Sequence, residues 1–280
     1  MAEEFAREFG AKKWFARFED LLADDEIQAV YIATPVFLHA EQTIAAATAG
    51  KHVLCEKPMA LSAAECDAMI AACEANRVAL EIAYYRRFYP LIKRAKEIIA
   101  AGEIGQITFA QINAFEFFDP PKDHPRHWLL EKKKSGGGPL IDFGCHRIEV
   151  LTNLFGEISE LKSIVSNEVF KREVEDTASV LFQFENGTCA NLTVTHAAQE
   201  AQDTLDIFGM RGSIHIPVLN GAEMKIKTNG GERIEFHPPD SNFHKPLIEE
   251  FTQAVLNGKT PEITGETGRE ITRLIEEIYF

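Results

Sequence analysis

No run in this chain of 280 residues approaches the roughly 18 apolar residues that a membrane span requires. Basic residues are scarce: 29 Lys and Arg stand against 43 Asp and Glu, a formal net charge of −14. That balance argues against a nucleic-acid partner, because duplex binders present a basic face. The one basic run, Lys132-Lys133-Lys134, is too short to reverse it and reads either as a solvated loop or as an anion contact beside a pocket. Cysteine is sparse too. Cys55, Cys66, Cys73, Cys145 and Cys189 make an odd number with no Cys-x-x-Cys, which speaks against a disulfide framework and a structural zinc site and fits a reducing, cytoplasmic setting. The N-terminus is acidic and has no signal-peptide core. There is no internal repeat and no low-complexity segment. What is there, 45% apolar and 26% charged residues, suits one large domain or two of ordinary size.

The first third alternates helix and strand. AEEFAREFG reads as a helix capped by Gly10, and FEDLLADDEI as a second, short one. IQAVYIATP is a continuous apolar run, which suggests a parallel strand buried on both faces. FLHAEQTIAAATAG is a helix stopped by Gly50, HVLCEKP the next strand, and VALEIAYY a third. Between the last two, Ser62 and Glu65 have capping-box spacing and open a helix running to about Asn76. Strands and helices with short links mean βαβ units and a parallel sheet. After residue 88 the pattern becomes long alternating strands: QITFAQINAFEFF, a hairpin with Asn186-Gly187 as a type I′ turn signal, and two more glycine-turned pairs. The expected architecture is a parallel Rossmann-like sheet over 1–88 and an α+β unit with a large, mostly antiparallel open sheet over 89–280.

Three successive strands end in polar or special residues: Thr34-Pro35, Glu56-Lys57-Pro58 and Tyr84-Tyr85-Arg86. In parallel sheets, ligands bind outside those carboxyl ends. Taken alone, Lys57 is as well explained as a surface lysine in a turn. In company with the other two endings it is a cation placed where a substrate oxygen changes charge. A helix entered through Gly136-Gly137-Gly138 carries Asp142 and His146 four residues apart, with Glu149 and Asn153 continuing a polar stripe. This is either a satisfied acid–imidazole pair or a His general base oriented by Asp. His124 and His127 lie nearby, but their spacing matches no metal motif, and no metal is expected.

Together, YIATPVFLHAEQTIAAATAGKHVLCEKPMALS, YYRRF and GGGPLIDFGCHRIEVLTNLFG resemble the Gfo/Idh/MocA family of glucose–fructose oxidoreductase and inositol dehydrogenase relatives. The order and spacing agree over nearly the whole chain. The resemblance implies an NAD(P)-dependent dehydrogenase or reductase acting on a sugar, polyol or related hydroxyl or carbonyl compound. It implies that Lys57 contacts the reacting oxygen and the nicotinamide, that His146 is the general acid/base, and that Asp142 orients the substrate or His146. Thr34, Pro35, His39 and Glu56 would line the nicotinamide and ribose, with Arg86 and Trp128 at the junction of cofactor and substrate. Relatives pair through the second sheet, which implies a homodimer or homotetramer. Two other readings stay open: a sensing relative without turnover, and a redox-cycling glycosidase. Val36 follows Thr-Pro where many relatives have Asn, Tyr85 replaces a small polar residue, and Glu149 stands where Asp is usual. The family's opening strand, Gly-x-Gly-x-x-Gly turn, helix and second strand are not in this sequence. That segment would cradle the pyrophosphate and separate NAD from NADP. The expectation is a truncated gene or a fragment with apolar strand edges exposed, or a form covered by partner chains.

Overall fold

The computed structural model describes residues 2–280. α1 (Ala2–Phe9) ends at Gly10, whose φ of +68° is the left-handed turn that glycine permits, and α2 (Phe18–Leu22) follows. β1 (Ala29–Ile32), β2 (His52–Cys55) and β3 (Leu80–Ile82) form a parallel sheet in that order. α3 (His39–Thr48) and α4 (Ala63–Asn76) are the crossovers. Ser62 Oγ accepts from Glu65 N–H at 3.2 Å, and the Glu65 carboxylate reaches back to Leu61 N–H at 2.9 Å, so the box closes one residue early. β2 and β3 are buried on both faces beyond His52, as expected of parallel strands. β1 is not: Val30 and Ile32 are buried, while Ala29 and Tyr31 are exposed. It is an edge strand, and one of its faces has no helix upon it. A groove of about 650 Å³, lined by Phe5, Trp14, Phe15, Leu21 and Ile27, opens between α1 and α2.

The second sheet has eight strands in the order β11-β10-β9-β8-β4-β7-β6-β5. These are β4 (Ile107–Phe117), β5 (Ile158–Ser166), β6 (Thr177–Phe184), β7 (Cys189–Thr195), β8 (Ala197–Gly209), β9 (Gly212–Ile216), β10 (Glu223–Thr228) and β11 (Gly231–Phe236). Every pair is antiparallel except β4 with β7. The β6–β7 turn differs from expectation. Only Gly187 has positive φ, whereas a type I′ turn needs two such residues. The Asn186 side chain is spent instead on Thr188 N–H and Phe155 O.

α5 (Pro90–Ala100) bridges the sheets; α6 (Lys132–Ser135), α7 (Cys145–Phe155), α8 (Lys245–Leu256) and α9 (Gly265–Tyr279) complete the chain. The basic run is thus one short helical turn. α9 returns to pack on α4 and β3, and Ile82 N–H donates to Ile263 O at 3.0 Å, closing the free edge of β3. One continuous apolar core results, joining Ile32, Val53 and Ile82 to Ile112, Val180 and Ile226. Among the described residues no helix is long and apolar enough to cross a membrane.

Candidate active site

The carboxyl ends of β1 and β2 are tied together by His39. Its Nδ1 lies 3.0 Å from Pro58 O and its Nε2 2.7 Å from Thr34 O, and the ring is 1% exposed. Burial holds this imidazole below its ordinary pKa despite two carbonyl partners. His39 is therefore a brace between strand ends: each ring nitrogen faces a carbonyl, and the neutral ring donates its one N–H to one of them at a time. Thr34 Oγ1 donates to Gln42 at 2.7 Å. Pro35 opens the turn Val36–Leu38, where Leu38 N–H donates to Pro35 O at 2.9 Å, and it does not line the cavity that Thr34 and His39 border. Glu56 accepts from Tyr31 Oη and from its neighbour's Lys57 N–H, with His244 Nε2 3.4 Å away. Burial opposes its charge, but His244, Tyr31 and Lys57 outweigh burial and keep the carboxyl below its usual range. The Lys57–Pro58 peptide is cis, and Lys57 Nζ donates to Asp142 O at 2.6 Å.

That carbonyl belongs to a distorted entry into α7. Residues Leu140–Gly144 form a π turn, and α7 proper begins at Cys145. The wider turn breaks the simple stacking of residues four apart. Asp142 consequently turns to Arg126 (Nη2–Oδ2 3.1 Å) and His196 (Nε2–Oδ2 3.7 Å), not to His146. Burial opposes the Asp142 charge, yet His196, Lys57 and Arg126 prevail and hold it below the usual carboxylate range. His146 is fully buried between Tyr84 and Tyr85, with ring centroids at 5.7 and 4.8 Å, and its Nδ1 has no partner. Burial first, then the positive charges of Arg86, Lys57 and Arg147, push it well below its ordinary pKa, so the ring is neutral. The rest of the predicted stripe goes elsewhere: Glu149 pairs with Arg87 at 2.7 Å and Asn153 accepts from Lys96 at 2.7 Å.

The glycines before this turn allow close approach of the chain to itself. A Cβ on Gly137 would lie 2.0 Å from Tyr279 Oη, and one on Gly138 2.1 Å from Glu175 O. The buried Glu175 carboxylate accepts from Gly138 N–H (2.8 Å), Leu140 N–H (3.1 Å) and Tyr279 Oη (2.9 Å). It anchors the entry of the helix that carries Asp142 and His146.

Two cavities meet at Lys57. The smaller, about 200 Å³, is bounded by Thr34, His39, Glu56, Trp128 and Asp142. The larger, about 610 Å³, is bounded by Arg86, Asp142 and His146 together with residues the sequence did not single out: Glu116, Arg126, Arg147, Asp203, Asn220 and His244. Lys57, Glu56, Arg126 and Asp142 line both. Arg86 is 4% exposed; its Nε donates to Asn220 at 3.1 Å, its Nη1 is unpartnered, and burial beside Arg147 lowers its pKa. Arg147 pairs with Asp203 at 2.5 Å. Asn113, Asp119, His124 and His127 do not line this pocket. Asn113 donates to Thr204 Oγ1 across the sheet.

A parallel sheet with a cavity at its strand ends, beside a lysine and a neutral buried histidine, is the arrangement of a nicotinamide-dependent oxidoreductase. Comparison with known proteins agrees. Residues 1–84 match the oxidoreductase family with an NAD-binding Rossmann fold, and residues 92–215 match the GFO/IDH/MocA C-terminal domain. The chain is 33% identical over 246 residues to trans-1,2-dihydrobenzene-1,2-diol dehydrogenase of Mus musculus, covering 86% of this chain and 71% of that protein. It is 30% identical over 285 residues to D-xylose 1-dehydrogenase (NADP(+)) 2 of Haloferax volcanii, covering 99% and 85%. A levoglucosan dehydrogenase solved with NADH and levoglucosan superposes with a TM-score of 0.89 at 27% identity, covering 99% of this chain and 84% of the other. The chain belongs to the GFO/IDH/MocA oxidoreductase family, and it is an NAD(P)-dependent enzyme.

Proposed function

We propose that this chain interconverts a hydroxyl and a carbonyl on a neutral sugar or polyol. The observation that carries the reading is Lys57 on the wall common to the two cavities, with His146 in the larger one. The residues present fit the nicotinamide end of the cofactor in the smaller cavity: Glu56 and Trp128 offer polar and flat contacts, and Thr34, Pro35 and His39 fix the strand ends around them. Arg86 stands on the substrate side of that junction. NAD(P), when bound, gives or takes the hydride. The chain does the rest. Lys57 donates to the reacting oxygen and stabilises its negative charge as the C–O bond order changes. His146, neutral and bordering the larger cavity, takes the hydroxyl proton in oxidation and returns it in reduction. Asp142 keeps Lys57 and Arg126 oriented and accepts from a substrate hydroxyl. The larger pocket carries four cations (Lys57, Arg86, Arg126, Arg147) and four carboxylates (Glu56, Glu116, Asp142, Asp203). That balance supports a neutral, many-hydroxyl substrate rather than an anion. The relatives' names, a D-xylose dehydrogenase and a levoglucosan dehydrogenase, support the same class.

The test is a titration of nicotinamide fluorescence followed by assay against a panel of aldoses and polyols. Saturable binding with net NAD(P)H accumulation is expected. No binding would overturn the reading, and product without accumulation would replace it with redox cycling.

The division at residues 88 and 89 remains our proposal, with α9 crossing back onto the first sheet. So does a reducing, cytoplasmic setting, supported by five free cysteines, four of them buried. The second sheet exposes Phe117, Ile164, Leu181, Ile234 and Phe236. This supports a dimer or tetramer formed through it. Light scattering on a sizing column is expected to give a multiple of 31.3 kDa, and a stable monomer would contradict it.

A further inference from the structure

Behind the pocket wall lies a histidine that the mechanism above does not use. His196, at the end of β7, is 0% exposed and packed between Phe118 and Phe143, with ring centroids at 5.0 and 5.2 Å. Its Nδ1 is 3.0 Å from Arg172 Nη2. Arginine can only donate, so Nδ1 accepts and the neutral ring carries its proton on Nε2. Arg172 is itself fixed: Nη1 donates to Phe118 O at 2.9 Å, and its guanidinium lies over Phe170 at 4.6 Å. The Nε2–H faces two carboxylates, Glu116 Oε1 at 3.5 Å and Asp142 Oδ2 at 3.7 Å. His196 Nε2 and Glu116 Oε1 are both buried without a hydrogen-bond partner.

By residue type the trio Glu116, Asp142 and His196 would suit a metal ion, its donor atoms lying within 4.8 Å of one another. The donors exclude it. Nε2 has no lone pair to offer while Arg172 occupies Nδ1, and Arg126 already pairs with Asp142 Oδ2 at 3.1 Å. What the arrangement places between two mutually repelling carboxylates is a single N–H. Both line the larger pocket next to Lys57, and His196 does not.

We infer that His196, oriented by Arg172, is a positioning residue whose Nε2–H holds Glu116 and Asp142 side by side as a paired acceptor for two substrate hydroxyls. Glu116 thereby becomes a substrate contact at the end of β4. The inference rests on the proposed sugar or polyol chemistry, and it adds that the substrate carries hydroxyls on carbons beyond the reacting one.

The full chain is screened by thermal shift against pentitols, hexitols and inositols, and the member giving the largest shift is titrated by calorimetry beside cyclohexanol, which has one hydroxyl. In His196→Leu, polyol affinity is expected to fall about tenfold or more while NADH and cyclohexanol affinities stay within about twofold. His196→Gln, whose amide can accept from Arg172 and donate to the carboxylates, is expected to recover most of the loss. A folded Leu variant with intact polyol affinity overturns the inference, as does an equal loss for cyclohexanol. Should His196→Leu fail to fold, Glu116→Gln decides, because it changes an acceptor on the pocket wall and leaves the core alone. An unchanged polyol affinity there overturns the inference, and a tenfold loss with cyclohexanol unaffected supports it. A wild-type chain that binds the polyol without hydride transfer overturns the proposed function only, and a chain that binds no polyol overturns both.

Discussion

Lys57→Met is expected to lower kcat by roughly 10²–10⁴-fold while leaving nucleotide affinity within about threefold. Methionine keeps an unbranched apolar stem of similar length, so the half-buried channel through which the side chain runs stays filled. What is lost is the charge and three N–H donors at a position that borders both cavities. In the present arrangement one of those donors is spent on Asp142 O at 2.6 Å, which aims the ammonium and leaves the others for the reacting oxygen. Arg86, Arg126 and Arg147 remain in the variant pocket, so the general positive field persists and only the local donor disappears. The loss should therefore appear in kcat more than in KM, as befits an interaction strongest in the transition state. Steady-state kinetics with a parallel fluorescence titration of nucleotide checks it. A rate within about tenfold of wild type would remove Lys57 from the chemistry.

The positions of Lys57, Asp142 and His146 were legible because they hang on backbone punctuation. A strand ending in Glu-Lys-Pro, a capped helix behind it, and glycines opening another helix are local signals with local causes. Their mutual geometry was less so. Spacing by four placed Asp142 on His146, but the π turn at Leu140–Gly144, tied down by Glu175 from a distant segment, rotates Asp142 toward Arg126 and His196. No periodicity within the helix announces that. The burial of β1 was misjudged for a related reason: an apolar run tells what could be covered, and only tertiary structure tells what is. The pocket's far wall came from β4 and β8, and from the segments carrying Arg126, Asn220 and His244. A signal for Glu116 did exist, since it is a lone acid in the apolar end of β4, Ala114–Phe117, where a charge needs a reason. Asn113, three residues earlier, carries no such signal: asparagine on an open sheet face is satisfied by its neighbours Gln111 and Thr204.

Glu81→Gln is expected to make the protein more stable at neutral and alkaline pH, and hardly more stable near pH 5. Glu81 sits at the centre of β3 with 0% exposure, and neither carboxyl oxygen finds a donor. Across from it is the Glu250 carboxyl of α8, one oxygen of which accepts from Glu262 N–H at 3.2 Å. Burial, then the charge of Glu250, pushes the Glu81 pKa up to about 9. A carboxyl buried in the core and facing a second one holds its proton, so Glu81 stays protonated at neutral pH. Because the folded pKa lies above the unfolded value of about 4.3, the folded state binds the extra proton between the two. The contribution to stability is therefore full below about pH 4.3 and is lost as pH rises toward 9. At pH 7 the deficit amounts to roughly 2–4 kcal/mol, at about 1.4 kcal/mol per unit. Glutamine keeps an N–H donor for Glu250 and has no proton to lose, so its curve of unfolding free energy against pH should be flatter by about one proton. Urea unfolding of both proteins at pH 5 and pH 8 checks the difference. Parallel curves would show that Glu81 ionises freely in the fold. Glu250→Gln, which removes the charge facing Glu81 and leaves its burial, should flatten the curve only in part.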